Sequence, residues 1–302
     1  MRQGKILVIR GGAIGDFILT LPAIAALRQR FPTVHLEVLG YPHIAQLAVA
    51  GGLVDRVQPI EAGGLAGFFA RGGTLAEELK DYFSEFDVIV SYLYDPDQIF
   101  QENVARCSFA QFIQGPHRAG EGDWTHATKV YLKPLERLAI YDAEAVPRLT
   151  LDSQPSTLNS LALHPGSGSE RKNWPESNWR ALMAHLIEKT DVRLLMVGGE
   201  AEGDRLERLA ALLPQGRFML ARSLPLVELA GLLQRCAAFV GHDSGITHLA
   251  AALGLPCLVL WSDTAEEVWR PAGENTVIIR EASGLKAITV DRVLRQLGEM
   301  LG

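Results

Sequence analysis

An aspartate stands directly after a glycine-rich turn near the start of the chain. The stretch KILVIRGGAIGDFILTLPAI, residues 5–24, runs from one apolar segment into another, and its turn holds Gly11, Gly12 and Gly15. The GGxxG spacing differs from the GxGxxG of dinucleotide-binding loops, and Asp16 stands where a P-loop needs lysine. Asp16 therefore has two interpretations. It caps a helix and complements the helix dipole, worth about 0.5 to 2 kcal/mol, or it acts as a general base.

A second candidate site lies in VGHDSGITHLAAALGLP, residues 240–256. The pattern predicts a strand that ends near Asp243 and a helix that Ser244 and Gly245 open. Free amides at such a helix start, beside a hydroxyl and a glycine, bind pyrophosphate without a metal. The alternative is that Asp243 or Ser244 only caps the helix. His248 lies on the same helix face as Ser244, where a histidine is more often a core residue than a ligand contact.

A third candidate, LALHPGSGSERKNWPESNW at 161–179, places a glycine and serine loop after a predicted strand. Lys172 and backbone amides that converge on a phosphate would stabilise the charge of a departing diphosphate. A solvated loop is the alternative, above all for Arg171. Pro175 suits the first turn of the helix that follows.

The Asp-Pro-Asp run at 95–97 resembles the Asp-x-Asp that chelates manganese in one class of sugar-nucleotide transferases. Hard oxygen ligands suit such an ion. The run is common by chance, however, and Asp97 is expected to begin a helix. We therefore expect no metal site.

Short runs rich in Ile, Val and Leu alternate with segments of helical period, and this rhythm occurs twice. The first half predicts strands at 5–10, 34–40, 56–60, 87–93 and 109–113, with helices at 16–30, 43–50, 74–85, 97–107 and 124–140. The second predicts strands at 161–164, 193–198, 217–220, 238–241, 257–261 and 276–280, with helices at 176–189, 202–213, 225–235, 244–253 and 287–300. Pro22 should kink the first helix or shift its start. The polar stretch 152–160 is the expected linker between two α/β domains with doubly wound parallel sheets.

The composition of the chain argues against several classes of protein. Charged residues make up 21% of the chain and the net charge is −6, with no basic excess in either half, which argues against nucleic acid as a partner. The three cysteines are widely spaced, so a zinc site or disulfide framework is not expected. No apolar run is long enough for a signal peptide or a membrane span. We expect a soluble cytoplasmic protein, and peripheral contact with a membrane stays open.

Three blocks together resemble glycosyltransferase family 9, the heptosyltransferase family: ILVIRGGAIGDFILTLPAI, LHPGSGSERKNWPESNW and DSGITHLAAALGLPCLVLW. The resemblance implies a GT-B fold of two Rossmann-like domains that face a central cleft. It assigns the acceptor to residues 1–155 and the nucleotide-sugar, such as ADP-heptose, to residues 156–302. It also implies a metal-independent, inverting displacement without a cofactor, in which Asp16 deprotonates the acceptor hydroxyl.

By position, the resemblance implies several further roles. The residues that match donor-phosphate contacts are Ser167, Gly168, Lys172, Ser244, Gly245 and Ile246. Asp243 matches a residue near the sugar, and His248 belongs to the same motif. Leu224 matches the part that lines the base, and Glu202 or Asp204 is a candidate for the ribose. The turn of Gly11, Gly12 and Gly15 would let the acceptor approach Asp16.

The chain departs from the family after the fourth strand. Many relatives read roughly Asp-x-Gln-Gly there, with basic residues nearby that meet an anionic core sugar, whereas residues 90–103 read VSYLYDPDQIFQEN. This acidic and aromatic stretch leaves the acceptor open, whether the lipopolysaccharide core or a related glycan. Three alternatives remain: a relative such as a UDP-N-acetylglucosamine 2-epimerase, a nicotinamide oxidoreductase, which the GGxxG spacing disfavours, and a catalytically inactive sugar-nucleotide-binding module.

Overall fold

The computed structural model describes residues 3–151, 159–167, 170–199 and 204–302. The chain divides into two compact units, Met1–Thr150 and Leu151–Gly302, which we call unit 1 and unit 2. Residues 152–158 of the expected linker lie outside the described ranges. Within those ranges, no helix combines the length and the apolar character that crossing a membrane requires.

Unit 1 is a parallel sheet with helices in its connections. Its strands are β1 Lys5–Arg10, β2 His35–Gly40, β3 Arg56–Pro59, β4 Val88–Ser91 and β5 Gln111–Gln114, in the order β3-β2-β1-β4-β5. Its α-helices are α1 Ile14–Arg30, α2 Pro42–Ala50, α3 Glu77–Ser84, α4 Ile99–Ala105 and α5 Ala127–Leu132, with 3-10 helices at Gly63–Phe69 and Lys133–Leu138. The central strand β1 is buried from Ile6 to Arg10, as expected of a parallel strand covered on both faces.

Unit 2 repeats this architecture with one more strand. Its strands are β6 Ser160–Leu163, β7 Arg193–Gly198, β8 Phe218–Arg222, β9 Ala238–His242, β10 Cys257–Leu260 and β11 Thr276–Ile279, in the order β11-β10-β9-β6-β7-β8. Its α-helices are α6 Glu176–Lys189, α7 Arg205–Ala210, α8 Leu226–Leu233, α9 Gly245–Ala252, α10 Glu266–Trp269 and α11 Val290–Leu301, with 3-10 helices at Glu170–Lys172 and Leu285–Ala287. All strand pairs of both sheets are parallel, which confirms the prediction of doubly wound sheets.

Each sheet has one point where the winding direction reverses. In unit 1 this switch point lies between β1 and β4, and in unit 2 it lies between β6 and β9. Sheets of this kind bind ligands beyond the carboxyl ends of the strands that flank the switch point. Asp16 follows β1, and the loop before Lys172 and the turn at Asp243 follow β6 and β9. The fold therefore places all three candidate stretches at switch points.

Pro22 was predicted to kink the first helix or to shift its start. Pro22 does not shift the start of α1, which begins at Ile14 and continues through the proline. The missing N–H of Pro22 removes one helical hydrogen bond. Continuous burial of α1 from Phe17 to Ile24 offsets that loss by anchoring the helix on both sides of the proline.

Asp97 does not begin a helix, because α4 starts at Ile99. Asp95 instead caps this turn: its carboxylate accepts the N–H groups of Phe100 and Gln101 at 3.2 and 3.0 Å. Asp97 forms an ion pair with Arg71 at 3.3 Å. Each carboxylate of the Asp-Pro-Asp run thus has a protein partner of its own.

The glycine-rich stretch 63–73, for which the sequence predicts no element, is held by one buried amide. Asn103 is 4% exposed, and its side-chain nitrogen donates to the carbonyls of Phe68 at 3.0 Å and Ala70 at 2.9 Å. Phe68 is fully buried in the core of unit 1. Asn103 therefore anchors the 3-10 helix to α4.

Replacing Asn103 with alanine should destabilise unit 1 by about 1 to 3 kcal/mol, because the buried carbonyl of Phe68 and the partly buried carbonyl of Ala70 lose their donor. Hydrogen exchange of the β1 amides measures the free energy of opening this sheet. Glu102→Ala changes the exposed neighbour on the same helix and should leave it unchanged. Equal exchange rates in the two variants would show that Asn103 anchors nothing.

Candidate active site

The carboxylate of Asp16 caps the start of α1 from inside the first turn. Its Oδ2 accepts the backbone N–H of Ala13 at 3.0 Å. Gly12 has φ of +99°, and a Cβ there would lie 2.8 Å from the same oxygen. Glycine at position 12 thus permits both the turn and the close approach of the carboxylate. The capping interpretation accounts for one oxygen of Asp16 and leaves Oδ1 to other partners.

Arg10 supplies a buried positive charge beside that second oxygen. Its side chain is 2% exposed, and Nη2 lies 3.7 Å from Asp16 Oδ1. Nη1 donates to the carbonyl of His117 at 2.7 Å, and the guanidinium lies 4.7 Å from the centre of the Tyr131 ring. Arg10 is a site residue that the sequence analysis missed. The available signal was a charged residue at the end of an otherwise apolar strand.

Two buried tyrosines flank Arg10 and remain neutral. Burial raises the pKa of Tyr92, and burial likewise raises the pKa of Tyr131, although the nearby Arg10 opposes both shifts. The Tyr92 hydroxyl donates to the carbonyl of Tyr131 at 2.6 Å. Asp16 and Arg10 are therefore the charged pair of this cluster.

In unit 2, Ser244 is the N-cap of α9. Its hydroxyl oxygen accepts the N–H of Thr247 at 3.3 Å. Gly245 and Ile246 form the first turn, where helical geometry offers their N–H groups no intrahelical partner. Both residues are half-buried. This is the helix start that the sequence predicts, with a hydroxyl and two amides at its end.

Asp243 is not a helix cap, which corrects one of the interpretations above. Its Oδ2 accepts from Lys172 Nζ at 2.6 Å and from the Thr264 hydroxyl at 2.7 Å. The side chain of Asp243 is 10% exposed and that of Lys172 is 33% exposed. The structure thus brings Lys172 to the start of α9 through an ion pair. Thr264, on the loop after β10, is a partner that the sequence analysis missed.

A buried histidine joins the two loops at the switch point of unit 2. His242 Nε2 accepts the backbone N–H of Trp174 at 2.8 Å, and its Nδ1 lies 3.3 Å from the carbonyl of Gly166. Burial, with a smaller effect from His164, lowers the pKa of His242 to about 3. The neutral ring therefore fixes the Lys172 loop to the end of β9. Sequence analysis singled out His248 in this motif and missed His242.

The remaining predicted residues occupy the same edge of the unit 2 sheet. Ser167 is buried and its hydroxyl donates to Asn173 at 2.9 Å, and His248 is 6% exposed within α9. Leu224 is half-buried after β8, and Asp204 is exposed directly before α7. Gly168 and Glu202 lie outside the described residues. Across the described ranges, no group of three or more His, Cys, Asp or Glu side chains is arranged to hold a metal ion.

Comparison with known proteins decides the family. The model of glycosyltransferase family 9 (heptosyltransferase) matches residues 131–293, more than half of the chain. The chain belongs to glycosyltransferase family 9. The resemblance stated from the sequence is thereby confirmed, and this family member is a transferase enzyme.

Relatives extend the likeness over nearly the whole length. Lipopolysaccharide heptosyltransferase 1 of Escherichia coli O18:K1:H7 is 24% identical over an alignment of 327 positions that covers 98% of each chain. Lipopolysaccharide heptosyltransferase 1 of Pseudomonas aeruginosa is 38% identical over 116 residues, 37% of this chain and 31% of that protein. The structure of E. coli ADP-heptose lps heptosyltransferase II superposes with a TM-score of 0.79 at 20% identity, over 98% of both chains. The family member has the GT-B fold of two Rossmann-like domains.

The variant Arg10→Met, which removes this buried charge, should destabilise unit 1 by about 3 kcal/mol. The variant leaves Asp16 without its buried cation and the His117 carbonyl without its donor. Hydrogen exchange of the β1 amides gives the free energy. Arg30→Met removes an exposed arginine at the far end of α1 and serves as the control. A loss no larger than that of the control would contradict the assigned role.

The stability of unit 2 should fall with acidification. Between the ordinary pKa of 6.5 and about 3, the unfolded chain binds a proton at His242 that the folded unit does not bind. The free energy of unfolding therefore decreases as pH drops below 6.5, by up to about 1.4 kcal/mol per pH unit. The buried residues Trp174, Trp179 and Trp261 report this transition by fluorescence. His242→Gln should flatten the slope, and an unchanged slope would contradict the neutral, buried state.

Proposed function

We propose that the chain transfers a sugar from a nucleoside-diphosphate donor, most directly heptose from ADP-heptose, to a hydroxyl of a glycan acceptor. The observation that carries the proposal is the Lys172–Asp243 pair at the start of α9. One ammonium group and the amides of Gly245 and Ile246 converge there, in the unit that does not contain Asp16. The likeness to E. coli ADP-heptose lps heptosyltransferase II supports this donor.

The donor diphosphate is proposed to bind between Lys172 and the first turn of α9. Helix N-termini favour anions because their N–H groups and the helix dipole both point toward the ligand. Lys172 would exchange part of its contact with Asp243 for a phosphate oxygen. The charge that develops on the leaving diphosphate would then meet a fixed cation and fixed dipoles, which need no reorganisation during the reaction.

Asp16 is proposed to act as the general base. The acceptor oxygen forms a bond to the anomeric carbon, the bond from that carbon to the phosphate oxygen breaks, and the acceptor proton passes to the carboxylate. A single displacement of this kind inverts the anomeric configuration. Arg10 lies beside Oδ1, with 3.7 Å between Nη2 and that oxygen. No step calls for a metal or a cofactor.

Family membership favours transfer over epimerase or nicotinamide chemistry. It likewise favours transfer over a sugar-nucleotide-binding module without turnover, and the transfer assay below measures turnover directly. We further propose that the enzyme acts in the cytoplasm, with its acceptor in the lipopolysaccharide core or a related glycan at the inner membrane. The lipopolysaccharide heptosyltransferases that the chain resembles support this location.

Asp16→Asn should reduce transfer by at least about a hundredfold while ADP affinity stays nearly unchanged, since general-base catalysis contributes about 10² to 10⁴ in rate. The amide retains an oxygen for the Ala13 N–H, so the helix cap is preserved. Asp87→Asn, which changes another carboxylate of unit 1 that accepts a backbone N–H, that of Lys5 at the start of β1, is the matched control. Near-normal turnover of Asp16→Asn would refute the role of base.

Lys172→Ala should weaken ADP binding, because it removes the cation at the start of α9. Thermal-shift measurements with ADP, UDP, GDP, CDP and TDP identify the base, since a ligand at 100 times its Kd adds about 2.7 kcal/mol of stability. Lys189→Ala removes a lysine at the far end of α6 as a control. Stabilisation by none of the nucleotides would contradict the proposed donor site.

A further inference from the structure

An exposed aromatic pair lies in the connections at the carboxyl edge of the unit 1 sheet. Tyr94 follows β4 and is 71% exposed. Its ring centre lies 4.6 Å from that of His117, which is also exposed, and the two rings are inclined by 64°. The His117 ring braces the Tyr94 ring from one side and leaves most of the phenol available to a ligand.

The pair is tied to the surroundings of Asp16 by one buried side chain. Arg10 Nη1 donates to the carbonyl of His117 at 2.7 Å and lies 3.4 Å from the carbonyl of Tyr92. Nη2 of the same guanidinium lies 3.3 Å from the carbonyl of Asp16. The residue beside the proposed base therefore holds the backbone of His117 and contacts the backbone two residues before Tyr94. An aromatic surface fixed in this way costs a ligand little ordering entropy.

The charges around this pair are mainly negative. The connections after the five strands of unit 1, residues 11–13, 41, 60–76, 92–98 and 115–126, are fully described. Their carboxylates are Glu61, Asp95, Asp97, Glu121 and Asp123, and their cations are Arg71 and Arg118. Arg71 is paired with Asp97. With Asp16 and Arg10 both included, six carboxylates stand against three guanidinium groups, and this excess of negative charge would repel an anionic acceptor.

A neutral pyranose suits these surroundings. One of its faces carries C–H groups with small positive partial charges, and the face of an aromatic ring is negative. Such a ring stacks on tyrosine without an ionic contact, while its hydroxyls remain available to carboxylates as hydrogen-bond donors.

We propose that the acceptor of this chain is an uncharged saccharide, one ring of which stacks on Tyr94 with His117 as the brace. The inference rests on the proposed function in one respect, namely that the acceptor hydroxyl reaches Asp16. It makes Tyr94 and His117 specificity residues. It also assigns a function, contact with the acceptor, to the acidic and aromatic stretch 90–103.

Saturation-transfer difference NMR on the full chain with saturating ADP tests the proposal. The probes are two neutral glycosides, methyl α-mannopyranoside and methyl β-glucopyranoside, and the anionic methyl β-glucuronide. We expect at least one neutral glycoside to bind more tightly than the glucuronide. Tyr94→Ala should weaken that binding by about tenfold, equivalent to about 1.4 kcal/mol, whereas Tyr94→Phe should retain it. Tyr141→Ala, which removes an equally exposed tyrosine, is the control.

His117→Ala separates the brace from the backbone contact, because the carbonyl that holds Arg10 is retained. It should lower glycoside affinity without changing ADP affinity. Tighter binding of the glucuronide, no binding of either neutral glycoside, or an unchanged affinity in Tyr94→Ala would each overturn the proposal. ADP binding to the same samples tests the donor site separately. If ADP does not bind, the proposed function is contradicted. If ADP binds but Tyr94→Ala leaves the glycoside affinity unchanged, this inference alone is contradicted.

Discussion

The carboxylate of Asp16 occupies the start of α1, where it accepts the Ala13 N–H at 3.0 Å. A diphosphate at the same helix end would compete for the same amide and would repel the carboxylate at short range. The start of α9 differs, because its cap is the neutral hydroxyl of Ser244 and the neighbouring acid is turned toward Lys172. The placement of one carboxylate thus distinguishes two similar folds and supports the proposal of a base in unit 1 and an anion site in unit 2.

Each candidate site contains one pair of opposite charges, Arg10 with Asp16 in unit 1 and Lys172 with Asp243 in unit 2. Lys172 and Asp243 neutralise each other, and the Thr264 hydroxyl shares the same carboxylate oxygen. Asp243 would therefore keep a hydrogen-bond donor if Lys172 turned to a phosphate, as we propose. In unit 1, Arg10 is almost completely buried between carbonyls and aromatic rings, whereas the side chain of Asp16 is 31% exposed. In both units, a more buried side chain thus holds the more exposed group that is proposed to act.

Local patterns were sufficient to predict the sheets and the start of α9. Alternating apolar runs predicted the strands, and the Asp-Ser-Gly sequence predicted the start of α9, because both depend on neighbours in the chain. Arg10, Thr264 and His242 were not predicted, since their partners lie far away along the chain. His242, for example, accepts the N–H of Trp174, which lies 68 positions earlier in the chain. The pairing of Asp243 with Lys172 was missed for the same reason. Tertiary contact decided its partner, where a local pattern had suggested a cap.

Hydrogen–deuterium exchange of the full chain, with and without saturating ADP, tests most directly whether the diphosphate binds in unit 2 and not beside Asp16. The account predicts slower exchange for the amides of Gly245 and Ile246 and for the loop that ends at Lys172. Exchange at Gly12, Gly15 and Asp16 should be unchanged, because the carboxylate already occupies that helix end. Protection of the unit 1 glycine turn without protection at the start of α9 would contradict the account, since it would place the diphosphate beside Asp16.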